Sequence, residues 1–160
     1  MPPSVFPERT DFRLNRLLAY QAPNMSLIYD MSTPPSSLRL PIDRLSEAAT
    51  WPVSTSMQIA CAGLPWPIEI TAVRGGALTC LTVLCGIFAS LHRPVSELEW
   101  TVLSPAMQRV AWDAFLGRLQ ANPTQTEEQP RRLDLLSGKT LFRGLSSDVF
   151  GKWVLHMDSK

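Results

Sequence analysis

The clearest periodic signal in the chain lies between residues 56 and 78. Met57, Ile59 and Cys61 alternate with polar or small neighbours, and Ile68, Ile70 and Ala72 repeat the pattern. A period of two is the spacing of a strand with one buried face. Between the two runs, Ala62-Gly63-Leu64-Pro65-Trp66-Pro67 is rich in turn residues, so the pattern predicts an antiparallel pair. Gly75-Gly76 then offers the positive torsions of a tight turn. The uncharged run from Gly75 to Leu91 changes period: Leu81, Leu84, Cys85, Phe88 and Leu91 recur at helical spacing, and Val83 and Ile87 widen the apolar face. This predicts a buried helix over Cys80 to Leu91 with Thr79 as its N-cap. The run is shorter and more polar than the roughly 20 apolar residues that span a bilayer.

Pro94 ends that helix. Ser96-Glu97-Leu98-Glu99 has the spacing of a capping box and predicts a short helix to Leu103. Ser104-Pro105 starts a longer one, to about Gln120, with Met107, Val110, Ala111, Ala114, Phe115 and Leu119 as its core stripe. Leu27-Ile28-Tyr29 reads as an edge strand, and Ile42, Leu45 and Ala49 as one side of a short helix stopped by Trp51-Pro52. Leu133 to Leu136 and Lys152 to Met157 read as further strands, separated by Gly138, Gly144 and Ser146-Ser147. Residues 1–13 are expected to be a flexible start, and the polar stretch 121–130 a mobile loop. Together these elements predict a single α+β domain over residues 14–160. Its antiparallel sheet of about four strands is covered on one side by the Cys80 to Leu91 and Pro105 to Gln120 helices.

Composition narrows the function classes. A chain of 160 residues, 45% hydrophobic, buries roughly 70% of its unfolded surface, enough for one core without staples. Its 15 Lys and Arg against 14 Asp and Glu leave a net charge of +1, which argues against a dedicated nucleic-acid binder. The three cysteines, Cys61, Cys80 and Cys85, form no C-x-x-C pair and have no histidine at metal-ligand spacing. No metal or cofactor is expected, and the thiols are expected to be reduced. The first residues lack the basic start and apolar run of a secretory signal, which places the chain inside the cell, in cytoplasm or nucleus.

Chemistry-bearing patterns are sparse. The nearest approach to a Gly-x-Ser-x-Gly elbow is Gly144-Leu145-Ser146-Ser147-Asp148, without the second glycine. His92 and His156 are the only histidines; His92 is expected as a cation on a helix C-terminus, and His156 as a polar position of a strand. Asp30, before Ser32-Thr33-Pro34-Pro35, suits an Asx turn. Trp51 and Trp66, each beside proline, would line one aromatic cleft if their loops met. Residues 131–160 carry six basic and three acidic side chains. There Arg131, Arg132, Lys139, Arg143 and Lys152, with Phe142, Phe150 and Trp153, would make either a basic aromatic patch for RNA or an acidic partner, or a solvated sheet face.

Several segments, in order, resemble a family of domains of unknown function found chiefly in mushroom-forming fungi. They are Leu27-Ile28-Tyr29-Asp30 with Pro34-Pro35, Ala48-Ala49-Thr50-Trp51-Pro52, Leu64-Pro65-Trp66-Pro67-Ile68-Glu69-Ile70, Leu78 to Leu84, Glu99-Trp100, Ala114 to Arg118, and Arg131 to Leu145. The resemblance implies a small α+β domain in a fungal, intracellular setting, and it brings no activity. The expected function is accordingly a non-catalytic module that binds another protein chain or itself. The alternatives are a small enzyme or small-molecule carrier with an apolar pocket between sheet and helices, and RNA binding through the C-terminal strip. Candidate binding residues are Trp51, Trp66, Asp30, His92, Arg131, Arg132, Arg143 and Trp153, with no catalytic residue and no membrane role expected.

Overall fold

A computed structural model describes residues 11–21 and 27–160. Among these residues, two sheets and four α-helices make up the α+β architecture. The small sheet pairs β1 (Arg13–Leu14) antiparallel with β3 (Thr50–Trp51). The main sheet has five strands: β2 (Tyr29–Asp30), β4 (Ser56–Cys61), β5 (Ile68–Thr71), β6 (Leu141–Ser147) and β7 (Trp153–Asp158). Their spatial order is β2-β6-β7-β4-β5.

The alternating runs behave as their period demands. Met57, Ile59 and Cys61 of β4 and Ile68 and Ile70 of β5 are buried, while the residues between them are exposed. The two strands pair antiparallel, Met57 opposite Ile70. The sheet as a whole is mixed, however, and not antiparallel as expected. β7 arrives as the second arm of a hairpin with β6 and lies parallel to β4, Ala60 opposite Val154. Strand direction depends on which neighbour the chain reaches after a long connection, and side-chain alternation carries no sign of it.

Helix α2 (Cys80–Leu91) starts where Thr79 accepts a hydrogen bond from Thr82 N–H at 3.1 Å. It packs on β5 so closely that a Cβ on Gly86 would lie 2.8 Å from Ile70 Cγ1. Its buried face is Cys80, Val83, Leu84, Ile87, Ser90 and Leu91. Cys85, expected inside, is exposed, because the helix is covered on the Val83 and Ile87 side. Short α1 (Ile42–Leu45) buries Leu45 but leaves Ile42 exposed.

The C-terminal half departs further from expectation. The capping box of α3 (Glu97–Val102) forms as predicted, with Ser96 and Glu99 bonded reciprocally. Helix α4 (Pro105–Ala121) begins at Ser104 and buries Ala111 and Phe115. It packs chiefly on a 3-10 turn over Arg132–Leu136 and not on the sheet. That turn replaces the strand expected at Leu133 to Leu136; Leu133, Asp134, Leu135 and Leu136 are all buried, a continuous burial with neither a strand's nor a helix's period. The strand lies later, in β6, through Gly144. There φ is +128° and the backbone of Tyr20 passes so near that a Cβ would sit 2.5 Å from its nitrogen. The glycine read as a separator is what lets segment 18–20 join the sheet, with Leu145 N–H bonded to Leu18 O at 2.7 Å.

Arg13–Leu14 belongs to β1, at the end of the segment expected to be flexible; residues 1–10 lie outside the described residues. Beyond Ala121 the 121–130 segment has no helix or strand, and its Glu127 pairs with Arg118 and Arg131.

Candidate functional site

The main sheet ends at β5, and its outer side is unpaired among the described residues. Ala72 N–H donates to Thr55 O at 2.8 Å, in the register that pairs Ile70 with Met57 and Ile68 with Ile59. Alternation along an antiparallel strand then turns the N–H and C=O groups of Glu69 and Thr71 away from β4. At the opposite side of the sheet, β2 covers the start of β6 and Ala19 bridges Leu145. The β5 edge has no comparable cover.

Beside this edge runs an open groove of about 860 Å³. One wall is β5; the other is the outward flank of α2, with Leu81, Thr82, Cys85, Gly86 and Ala89. These are small or apolar side chains, which leave room beside the strand. Beyond Ile68 the groove meets Trp66, Ser90, Arg93, Glu99 and Arg132. Here segment 93–95 pairs with 130–132: Arg132 N–H donates to Arg93 O at 3.0 Å, and Val95 N–H to Pro130 O at 2.9 Å.

Arg132 organises this end. Only 8% exposed, it pairs with Glu99, donates from Nη1 to Ser90 Oγ at 3.2 Å, and lies over the Trp66 ring at 5.1 Å from its centroid. Burial pushes the Glu99 carboxyl up, but hydrogen bonds from Arg132 and from Ser96 N–H bring it below its ordinary value. Two buried donors have no acceptor among the described residues: Arg132 Nε and Trp66 Nε1. Arg93 is exposed and forms no ion pair among the described residues.

The other expected site residues are dispersed. Trp51 is 70% exposed on β3, beside Arg13, Leu14 and Asn15. It does not meet Trp66, so the aromatic cleft drawn between them does not form; β1 pairing fixes Trp51 at the far sheet. Trp66 instead shares a smaller hollow of about 460 Å³ with Trp153. Asp30 caps its own turn, accepting from Ser32 N–H at 2.9 Å, and pairs with Lys160 at 2.5 Å. Burial raises its carboxyl, yet those bonds hold it below the usual range. Arg143 pairs with Asp158 across the β6–β7 hairpin.

Arg131 and Arg132 diverge. Arg131 joins a network in which Arg118 pairs with Asp134 at 2.8 Å and with Glu127 at 2.7 Å, and Arg131 pairs with the same Glu127. Three of the five cations in the expected basic patch therefore hold carboxylates. Arg131 Nη1 also donates to His92 Nδ1 at 2.9 Å, and His92 Nε2–H donates to Met31 O at 3.1 Å. That pattern requires a neutral imidazole. Burial drives the His92 pKa down, as do the Arg131 and Arg118 charges. His92 is thus the C-cap of α2 but not the expected cation, since its position there is desolvated and faces arginines.

Sequence reasoning missed one further pair: Ser146 Oγ and His156 Nε2 lie 2.6 Å apart on neighbouring strands, with Tyr20 stacked on the imidazole at 4.0 Å. Strand pairing alone brings them together. No carboxylate is bonded to this histidine among the described residues, and neither residue lines the groove.

No group of histidine, cysteine and carboxylate side chains among the described residues is arranged to hold a metal, and no helix is long and apolar enough to cross a membrane. Residues 27–152 match the sequence profile of DUF6699, a family of unknown function. No curated protein and no solved structure matches the chain. The chain belongs to the DUF6699 family.

Proposed function

We propose that this member of the DUF6699 family is a non-catalytic interaction module that holds an extended segment of another protein in the groove between β5 and α2. The observation that carries the reading is the unpaired β5 edge, with the backbone groups of Glu69 and Thr71 turned outward beside an open, largely apolar channel. Backbone pairing along such an edge gives affinity, and alternate side chains of the added strand reach the neighbouring wall. The channel's openness favours a chain over an enclosed small molecule. A reducing, intracellular setting in a fungal cell fits three unpaired thiols, two of them buried.

The test uses Thr71→Pro. The Thr71 N–H points away from β4, so proline there removes an outward donor and leaves the β4–β5 ladder intact. The unaltered domain should retain members of a random hexapeptide pool, and the variant should retain none while melting at a similar temperature. A pool that passes the unaltered domain unretained overturns the reading. So does a dimer abolished by Thr71→Pro, because the edge would then serve self-pairing.

A further inference from the structure

The groove has two unlike ends. Near Val73, Leu81 and Thr82 it contains no charged side chain. Its charged lining is Arg93, Arg132, Glu99 and Glu69; the Glu69 side chain is on the face of β5 opposite buried Ile70, where it accepts from Gln58 Nε2 at 2.9 Å, which leaves Arg93, Arg132 and Glu99 around the Trp66 end. Glu99 is already bonded to Arg132 and to Ser96 N–H. The formal charges of the whole lining balance, and the exposed Arg93 is its one cation without an ion pair among the described residues. Two N–H donors of the same wall, Arg132 Nε and Trp66 Nε1, lack acceptors, and leaving such groups unpaired is costly. The end holds one unpaired cation and is short of hydrogen-bond acceptors.

Strand polarity decides what can arrive there. β5 runs from Ile68 to Thr71, away from Trp66. A segment added antiparallel runs the other way and presents its C-terminal end to Arg93 and Arg132. One added parallel would bring its N-terminal amine, a cation, to the arginines. Backbone pairing is also interrupted at this end, because Pro67 has no N–H, and Arg93, Glu99 and Arg132 line the groove there. A chain that ends there fits better than one that continues.

We propose that the module recognises the free C-terminus of its partner: the last residues add antiparallel to β5, and the terminal carboxylate is held by the exposed Arg93, with the buried Arg132 and Trp66 N–H groups behind it. The inference rests on the groove reading above and specifies its ligand.

The experiment compares two random hexapeptide pools, one with free C-terminal carboxylates and one amidated, passed over the full chain. Retained peptides are quantified by mass spectrometry. A charge-assisted contact is worth about tenfold or more in affinity, so the free-acid pool should be retained at least about tenfold better. Arg93→Gln, an exposed substitution that leaves Arg132 and Glu99 paired, should reduce that preference severalfold while retaining the Thr71→Pro sensitivity. Bound acid peptides should also slow alkylation of Cys85, which lines the groove. Equal retention of the two pools overturns the C-terminus inference and leaves the groove reading standing. Retention of neither overturns both, and preference for peptides with internal acidic residues irrespective of amidation overturns the terminal assignment alone.

Discussion

The guanidinium carbon of Arg132 sits 5.1 Å from the centre of the Trp66 ring, on the same side chain that pairs with Glu99 and Ser90. One buried cation thereby ties together the β4–β5 connection, α2, α3 and the 3-10 turn. Planar geometry is what allows this: a guanidinium can stack on an indole while its edge donates, which an ammonium cannot do.

Arg132→Lys is therefore expected to behave as a destabilising change. It keeps the charge but loses the stacking and the bond to Ser90, and leaves Glu99 worse paired. The expected cost is about 2 kcal/mol, with Arg132→Ala costing more. Urea unfolding followed by tryptophan fluorescence measures both. An Arg132→Lys midpoint equal to the unaltered chain would show that the arginine acts only as a charge.

Three glycines separate three different physical roles. At Gly144 the added methyl meets backbone, 2.5 Å from Tyr20 N, at φ +128°, so Gly144→Ala should destabilise by about 3 kcal/mol or more, or fail to fold. At Gly86 the obstacle is the Ile70 side chain at 2.8 Å, which can rotate. Overpacking of about 1–3 kcal/mol is partly offset by about 1 kcal/mol of helix propensity. Gly117, in α4, has nothing within 4 Å of its added methyl, and Gly117→Ala should stabilise by roughly 0.5–1 kcal/mol. Thermal melts of the three variants should rank in that order, and a destabilised Gly117→Ala would contradict the account.

The local signals in the sequence are those the structure reproduces. Thr79, Ser96 and Ser104 cap the helices they were expected to cap, because a cap depends on residues within one turn. The buried positions of β4 and β5 follow from alternation alone. What was illegible depends on distant partners. The direction of β7 beside β4, the turn at Arg132–Leu136 and the separation of Trp51 from Trp66 are all set by contacts across long stretches of sequence. The sequence marks both Trp66 and Arg132, one as a cleft aromatic and one as part of a charged strip. Their meeting was not visible, since 65 residues, with β5 and three helices among them, separate the two. The free edge of β5 was equally hidden, because a strand's own sequence does not state whether a neighbour covers it.

The thiols offer a direct test of burial. Burial pushes the Cys61 thiol up to about 12 and the Cys80 thiol to about 11, and it raises Cys85 as well. Only Cys85 is exposed, and the thiolate is the reactive form. At pH 8 the folded chain should take up one iodoacetamide, at Cys85, and the unfolded chain three. Peptide mapping by mass spectrometry locates the adduct. Early modification at Cys61 or Cys80 would mean that the sheet and α2 open locally.

The Arg131–His92 contact makes stability depend on mild acid. His92 is neutral because Nδ1 accepts from Arg131, and burial and the neighbouring arginines lower its pKa below the ordinary 6.5. The unfolded chain regains the ordinary value. Between the two values the unfolded state binds more protons, so stability falls as pH drops through about 6.5 toward the lowered native value, and then levels. Asp30 and Glu99 are lowered carboxyls; their stabilisation is present above the ordinary carboxylate range and is lost as pH falls toward their native values. The expected profile has two descending steps, one starting near 6.5 and one near 4. His92→Gln keeps an amide able to donate to Met31 and to accept from Arg131, and it cannot titrate. In that variant the upper step should vanish while the lower one stays, as read from urea midpoints between pH 2 and 8. An upper step that survives His92→Gln would move its origin to another group and remove the neutral imidazole from the account.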